Sequence, residues 1–290
     1  MPSPSTYYRP SGKMPLTGVL LLLAVGAVVA APLGVIYILA IRYIPFIYLN
    51  LLAIAAYGIG FAFVVAKLVE LGRLRSPAAA GLLGCIAGLA ATWLQWVFFA
   101  AFIVHDETIS LVAACSHFLT HPAALGGFIQ YVAGHGTWSF KDGDPVTGVF
   151  LILIWIAETL TIVVPAALFA YGQAGKPFSE LLQRWAVPVR LPGRLPFFAS
   201  PAEVRARLES GDLMPLVTNE PPAGHQYARL ELYSAEGDPS CFYLSVENVS
   251  ESLDKKGRKQ TATAAIATHL HLPAELAKQL QELHSTAPAA

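Results

Sequence analysis

Charge is scarce in this sequence. Asp, Glu, Lys and Arg together make up only 13% of its residues, and the two signs cancel to zero. Nucleic acid is bound through a basic face that displaces counterions, so a chain without net basic charge is not built for that partner. Cysteine is nearly absent as well. The three thiols, Cys85, Cys115 and Cys241, are too few and too far apart for a disulfide framework or CxxC chemistry. They read as unpaired, mostly buried side chains. No Walker loop, no GxSxG and no GxGxxG after a strand occurs, and Ser, His and Asp are not arranged to mark a nucleophile. No cofactor is implied.

The scarcity of charge is uneven. Residues 1–171 hold seven Lys or Arg and six Asp or Glu, whereas residues 172–290 hold twelve and thirteen. The first part contains four long apolar runs, at 16–41, 46–66, 79–104 and 146–170. None has an internal Lys, Arg or Asp, and only the fourth carries a Glu. About 20 residues rising about 1.5 Å each cross a hydrocarbon core of roughly 30 Å, so each run reads as a transmembrane helix. The fold class that follows is an α-helical membrane protein with four spans and a small α+β tail.

The first run resembles a signal peptide in its flanking Arg9 and Lys13 and in the small residues Val29, Ala30 and Ala31. Its apolar character continues through Pro32 to Ile41, too long for such a segment, so it reads as an uncleaved helix kinked at Pro32. Basic residues collect before the first span (Arg9, Lys13), between the second and third (Lys67, Arg73, Arg75) and after the fourth (Lys176, Arg184, Arg190, Arg194). The opposite side has Arg42 and a loop, 105–145, in which Asp106, Glu107, Asp142 and Asp144 outnumber Lys141. With four spans all basic clusters share one side, which places both termini in the cytoplasm.

Small residues line two of the runs: Gly84 and Gly88 form GxxxG, and Gly26, Ala30 and Gly34 recur every fourth position. Such stripes let helix backbones approach in lipid, either within this bundle or at a dimer face of a homo-oligomer. Within the outer loop, apolar-periodic pieces at 109–119 and 123–132 are too short to span and read as two surface helices capping the bundle. The Gly134-His-Gly136 and Lys141-Asp-Gly-Asp-Pro145 segments read as turns, and Pro45 is placed to begin the second span.

Beyond the fourth span, Phe178, Leu181, Leu182 and Trp185 have helical spacing, so residues 172–198 read as an interfacial amphipathic helix followed by a linker holding Pro188, Pro192 and Pro196. A cytosolic α+β domain is expected at 199–284. It opens with a capping box at Ser200-Pro-Ala-Glu203 and continues as three alternating strands. Their inward faces are Ala228, Leu230 and Leu232, then Phe242, Leu244 and Val246, then Ala262, Ala264 and Ile266. A last helix follows with Leu276, Leu280 and Leu283 on one stripe, and residues 285–290 read as a disordered tail.

Glu158 is the sharpest candidate for chemistry. An ionised group near the middle of a span costs about 2.5–3.5 kcal/mol or more, so it faces the bundle or is neutralised. Gln95, Thr92 and Tyr57 lie at comparable depth and are its expected partners. Two readings stay open: a site that handles a proton or cation, and a carboxyl that binds helices together. His117 and His121, at i and i+4 in the outer loop, have the spacing of metal ligands, but no HExxH accompanies them and Pro122 follows at once. They are weak candidates.

The stretches Tyr43-Ile-Pro-Phe-Ile-Tyr-Leu-Asn50, Gly136-Thr-Trp138 before Pro145-Val-Thr-Gly148, and Leu153-Ile-Trp-Ile-Ala-Glu158 resemble uncharacterised bacterial inner-membrane proteins with four spans and a cytosolic tail. The resemblance implies location in the bacterial inner membrane and topology, and no activity. Three functions are compatible with the residues. One is a non-enzymatic protein whose tail binds a cytosolic protein partner or mediates assembly. Another is an oligomeric channel or transporter using Glu158. The third is a membrane enzyme with a metal on the outer loop.

Overall fold

A computed structural model describes residues 6–44, 47–136, 144–192, 194–217 and 224–285. Pro45, Phe46, residues 141–143 of the expected Lys141–Pro145 turn and residues 286–290 of the expected tail lie outside the described residues. The chain divides into two compact units, one of Ser11–Gly175 and one of Met1–Pro10 together with Lys176–Ala290.

The first unit is helical. In chain order it holds α1 (Leu16–Tyr43), α2 (Ile47–Leu71), α3 (Pro77–Val104), α4 (Leu111–Thr120), α5 (Pro122–His135) and α6 (Gly148–Ala174). Of these, α1, α2, α3 and α6 are long and apolar enough to cross a membrane. Leu20, Val28, Phe63, Leu82, Leu153 and Leu168 point outward from the bundle, as lipid permits and water does not. Pro32 and Pro165 lie inside continuous helices, so α1 runs through Pro32 as one uncleaved span. The second span is longer than expected. It continues to Leu71, which places Lys67 on its last turns, ion-paired to Glu70 at 2.8 Å, and not in the link.

The spans form a square. α1 and α6 each pack against both α2 and α3, and face one another across the diagonal. Glycine sets how closely the neighbours approach. A Cβ on Gly84 would come within 2.6 Å of the Ala166 carbonyl oxygen, and one on Gly88 within 2.8 Å of the Val163 Cα. Gly84 and Gly88 are therefore the α3–α6 contact inside this bundle. A Cβ on Gly58 would strike the Thr161 carbonyl, and Gly18 meets the Gly72 backbone between α1 and α2. Gly26 is looser, with Leu68 at 3.9 Å. The loop between the third and fourth spans forms the two short helices expected of it. Ala114 and Phe118 of α4 and Leu125 of α5 join Val97, Ala100 and Ala101 of α3 in a separate apolar cluster.

The second unit is an antiparallel sheet with helices on one face. Its strands are β1 (Phe178–Ser179), β2 (Arg184–Trp185), β3 (Val187–Arg190), β4 (Leu195–Pro196), β5 (Gln226–Ser234), β6 (Phe242–Leu253) and β7 (Lys259–His271). The main order is β3-β5-β6-β7, with β4 also pairing β5. Helices α7 (Pro201–Glu209) and α8 (Ala274–Ser285) supply Leu208, Ala277 and Leu280 to a core against Leu230, Leu232, Leu244, Val246 and Ile266.

Several expectations need correction here. The proposed interfacial helix is a two-stranded hairpin in which Phe178 pairs with Trp185, their rings edge-on at 5.0 Å. Apolar residues seven apart meet across a tight hairpin as readily as along a helix, and Gln183 takes a left-handed φ of 52°. The supposed linker forms β3 and β4. Pro188 and Pro196 lie on the edge strands β3 and β4, where a missing N–H does no harm, and Pro192 lies between them. The folded tail thus begins at Lys176, not at residue 199, and it includes the N-terminus: Tyr7 bridges Leu270 beside β7, with Tyr8 N–H donating to the His269 carbonyl at 2.9 Å.

Smaller corrections concern patterning. Ser200 makes no side-chain cap, so the capping box is not closed. In β7, Ile266 is buried, but Ala262 and Ala264 are exposed, because two irregularities in the β6–β7 register separate the covered half of the strand from a projecting half. On α8, Leu283 is exposed and Ala277 takes its place in the core.

Candidate functional site

The polar residues of the spans converge at the centre of the square. Tyr37 of α1 donates its hydroxyl to Glu158 Oε1 of α6 at 3.0 Å, across the diagonal. The Tyr37 ring stacks on Tyr57 of α2 at 6.0 Å between centroids. Tyr57 in turn donates to the Ala91 carbonyl of α3 at 3.3 Å. Gly34 of α1 makes room for this: a Cβ there would stand 3.6 Å from the Tyr57 hydroxyl and 3.7 Å from the Gln95 Cα. All four spans thus contribute to one buried polar cluster.

Of the four expected site residues, Glu158, Tyr57 and Gln95 are brought to this centre. Glu158 is bonded to Tyr37 and not to α3. Gln95 is buried, and its Oε1 meets no donor among the described residues. Thr92 does not join; its hydroxyl is used on the Gly88 carbonyl of its own helix at 3.1 Å. Tyr37 was missed from the sequence. Its signal was a Tyr well inside an apolar run, three residues after a glycine of the small stripe. Below the cluster the bundle is filled by Phe61, Val65, Leu22 and Val69, all buried and apolar. Near the other end, Trp96 and Trp155 meet edge-on at 4.8 Å beside an apolar groove of about 270 Å³ that Ile129 and Ile152 help to line.

In the loop between the third and fourth spans, His117 and His121 stack with their rings 4.6 Å apart. Nδ1 of His121 already lies 3.0 Å from the His117 carbonyl and 2.9 Å from the Thr120 hydroxyl. Among the described residues no group of three or more His, Cys, Asp or Glu gathers to hold a metal.

The tail carries two polar features. Ser179 donates to Asp238 Oδ2 at 2.5 Å, and Asp238 Oδ1 caps the backbone and hydroxyl of Ser240. These bonds hold the Asp238 carboxyl below the usual carboxylate range despite its burial. Beside it, burial pushes the Cys241 thiol up to about 11, which leaves it protonated and unreactive at neutral pH. His269 is pressed between Tyr233 and Tyr8, with ring centroids at 4.7 and 6.3 Å. Burial, with a smaller push from Lys176 and against the pull of Glu231, lowers its pKa to about 4.

The far half of β7 differs from all of this. Residues 259–265 are exposed on both faces, and no further strand pairs with their outer edge among the described residues. The β6–β7 turn is fixed by Asp254, whose Oδ1 accepts from the backbone N–H of Lys256 and Arg258 at 2.8 and 2.9 Å.

Comparison with known proteins returned no matching family model, no matching curated protein and no matching solved structure.

Proposed function

We propose that this protein is a membrane-anchored binding module of the bacterial inner membrane. The four-helix bundle fixes it in the bilayer, and the tail unit holds a protein partner in the cytoplasm. The observation that carries this reading is the contrast between a filled bundle and an unpaired sheet edge. Glu158, which a conduction path would require, is engaged by Tyr37, with apolar side chains closing the bundle on one side of it. The tail, by contrast, leaves the outer edge of residues 259–265 open. The cytoplasmic placement draws on the basic residues beside the inner ends of the spans. It draws also on chain path: Tyr7 and Tyr8, just ahead of α1, belong to the same unit as the tail that follows α6, as an even number of spans requires.

A second reading rests on the buried Gln95 Oε1, an acceptor that no donor among the described residues reaches. In it, a homo-oligomer handles a proton or small cation there. One experiment separates the two. The intact protein is cross-linked in its native membrane, and ion flux is measured in vesicles containing wild type or Glu158→Gln. The module reading expects cross-links from tail residues to a second protein and no flux in either vesicle. Flux that Glu158→Gln abolishes would contradict it.

A further inference from the structure

The β6–β7 hairpin is the feature left without a role. Sheets ordinarily protect their edges with prolines, inward charges or short strands, because a bare edge recruits another chain. The opposite edge of this sheet is protected in that way by Pro188 and Pro196. The β7 edge is treated differently along its length. Near His271 it is covered by the chain's own N-terminus: the His271 N–H donates to the Thr6 carbonyl at 2.9 Å, and the Tyr8 N–H to the His269 carbonyl at 2.9 Å. From Lys259 to Ala265 it is bare, and residues 260–265 read Gln-Thr-Ala-Thr-Ala-Ala, with no charge and no proline. The N-terminal segment, bridged at Tyr7–Leu270, shows that this edge accepts backbone hydrogen bonds from an added segment.

Charge then selects the occupant. At one end of the bare stretch stands the turn, where residues 254–259 carry four basic side chains against Asp254 alone. Arg258 is tied to Asp254 at 2.9 Å and Lys259 to Glu251 at 2.8 Å, while Lys255 and Lys256 are exposed at the tip. At the other end Arg9 is exposed, where the N-terminal strand leaves the edge. A second copy pairing antiparallel here would bring its own basic turn toward Arg9, like charge against like. An extended acidic segment meets favourable charge at both ends. Lipid headgroups are a poor match. Headgroups offer no backbone ladder, so they would leave the edge N–H and carbonyl groups of residues 259–265 unpaired.

We infer that the exposed edge of β7 binds an extended segment of a partner protein by strand addition, and that the segment is uncharged in its centre and acidic at its ends. This names the partner class for the module proposed above, and it rests on that proposal. Backbone pairing along 259–265 supplies affinity, and Lys255, Lys256 and Arg9 supply choice of partner.

The test uses the full-length protein in lipid nanodiscs. The probe is a fluorescein-labelled peptide with an alternating threonine–valine core and two glutamates at each end. A counterpart with lysine in place of glutamate serves as comparison. The acidic probe binds, and the lysine peptide binds at least about tenfold more weakly. Lys255→Glu with Lys256→Glu, which leaves the sheet untouched, weakens the acidic probe by about tenfold or more, and added salt weakens wild type in the same direction. Thr263→Pro, at an edge position, removes binding. Equal affinity for both peptides, or no change in the charge-reversed variant, overturns the proposal. So does a particle mass showing two chains that Thr263→Pro converts to one, since a second copy then holds the edge. If native-membrane cross-links to a partner persist unchanged in Thr263→Pro, strand addition fails while the module reading stands.

Discussion

Valine at position 84 tests whether the GxxxG stripe builds this bundle or serves a dimer. The Cβ of Gly84→Val would sit 2.6 Å from the Ala166 carbonyl oxygen and 2.9 Å from the Ala167 Cα. Both are backbone atoms of α6 and cannot swing away, so α3 and α6 must move apart along their shared length. Overpacking of that kind costs about 1–3 kcal/mol, and valine recovers only a few tenths of it through its modest helix advantage over glycine. Gly60 on α2 is the control, because a Cβ there meets nothing within 4 Å. Gly60→Val should stay within about 0.5 kcal/mol of wild type. The assay is reversible unfolding in mixed micelles, followed by far-UV circular dichroism at two protein concentrations tenfold apart. The expected result is a loss for Gly84→Val that does not depend on concentration. Wild-type stability for Gly84→Val, or a loss only at the higher concentration, would refute the packing argument.

Other residues give further tests. Tyr37→Phe deletes the hydroxyl that donates to Glu158 and should destabilise the bundle by about 0.5–1.7 kcal/mol, the range for hydrogen bonds between membrane helices; an unchanged unfolding midpoint would remove Tyr37 from the account. Asn248 imitates a strand partner, accepting from the Phe198 N–H at 3.1 Å and donating to its carbonyl at 2.9 Å while buried. Asn248→Ala leaves both backbone groups unpaired and should cost about 2–3 kcal/mol in tail unfolding. His269 should make tail stability depend on pH. Its folded pKa of about 4 lies below the ordinary value of 6.5, so between those limits the unfolded chain binds the extra proton. Stability is complete above 6.5 and falls as pH drops toward 4, by about 2 kcal/mol after discounting for partial exposure. His269→Asn keeps a residue that tolerates the φ of 56° and should flatten that slope relative to wild type.

Much of the fold was legible because lipid leaves few choices. A run of about 20 apolar residues has no soluble alternative, and period-two alternation in β5 and β6 predicted their buried faces correctly. Legibility failed where one pattern serves two structures. Phe178 and Trp185 satisfy a helix stripe and a hairpin pair equally, and only long-range bonds, such as Ser179 to Asp238 and Arg184 to the Glu236 carbonyl, decide between them. Prolines at 188, 192 and 196 argued against a helix but could not distinguish a linker from an edge strand. The pairing of Tyr7 with Leu270 joins residues at opposite ends of the chain over too few positions to leave a periodic trace. At the polar centre, depth along the spans offered Gln95, Thr92 and Tyr57 as partners of Glu158, whereas the hydrogen bond to Glu158 comes from Tyr37. Depth says nothing of rotation about a helix axis, which is why Thr92 was included and Tyr37 overlooked.

The side of the membrane on which the tail stands is tested most directly by cysteine accessibility. In a chain whose native cysteines are replaced by serine, Thr108→Cys marks the outer loop and Lys256→Cys marks the β6–β7 turn, both exposed positions. In intact spheroplasts an impermeant maleimide should label position 108 and should reach position 256 only after the membrane is opened. Labelling of position 256 from outside, or of neither position until detergent is added, contradicts the account.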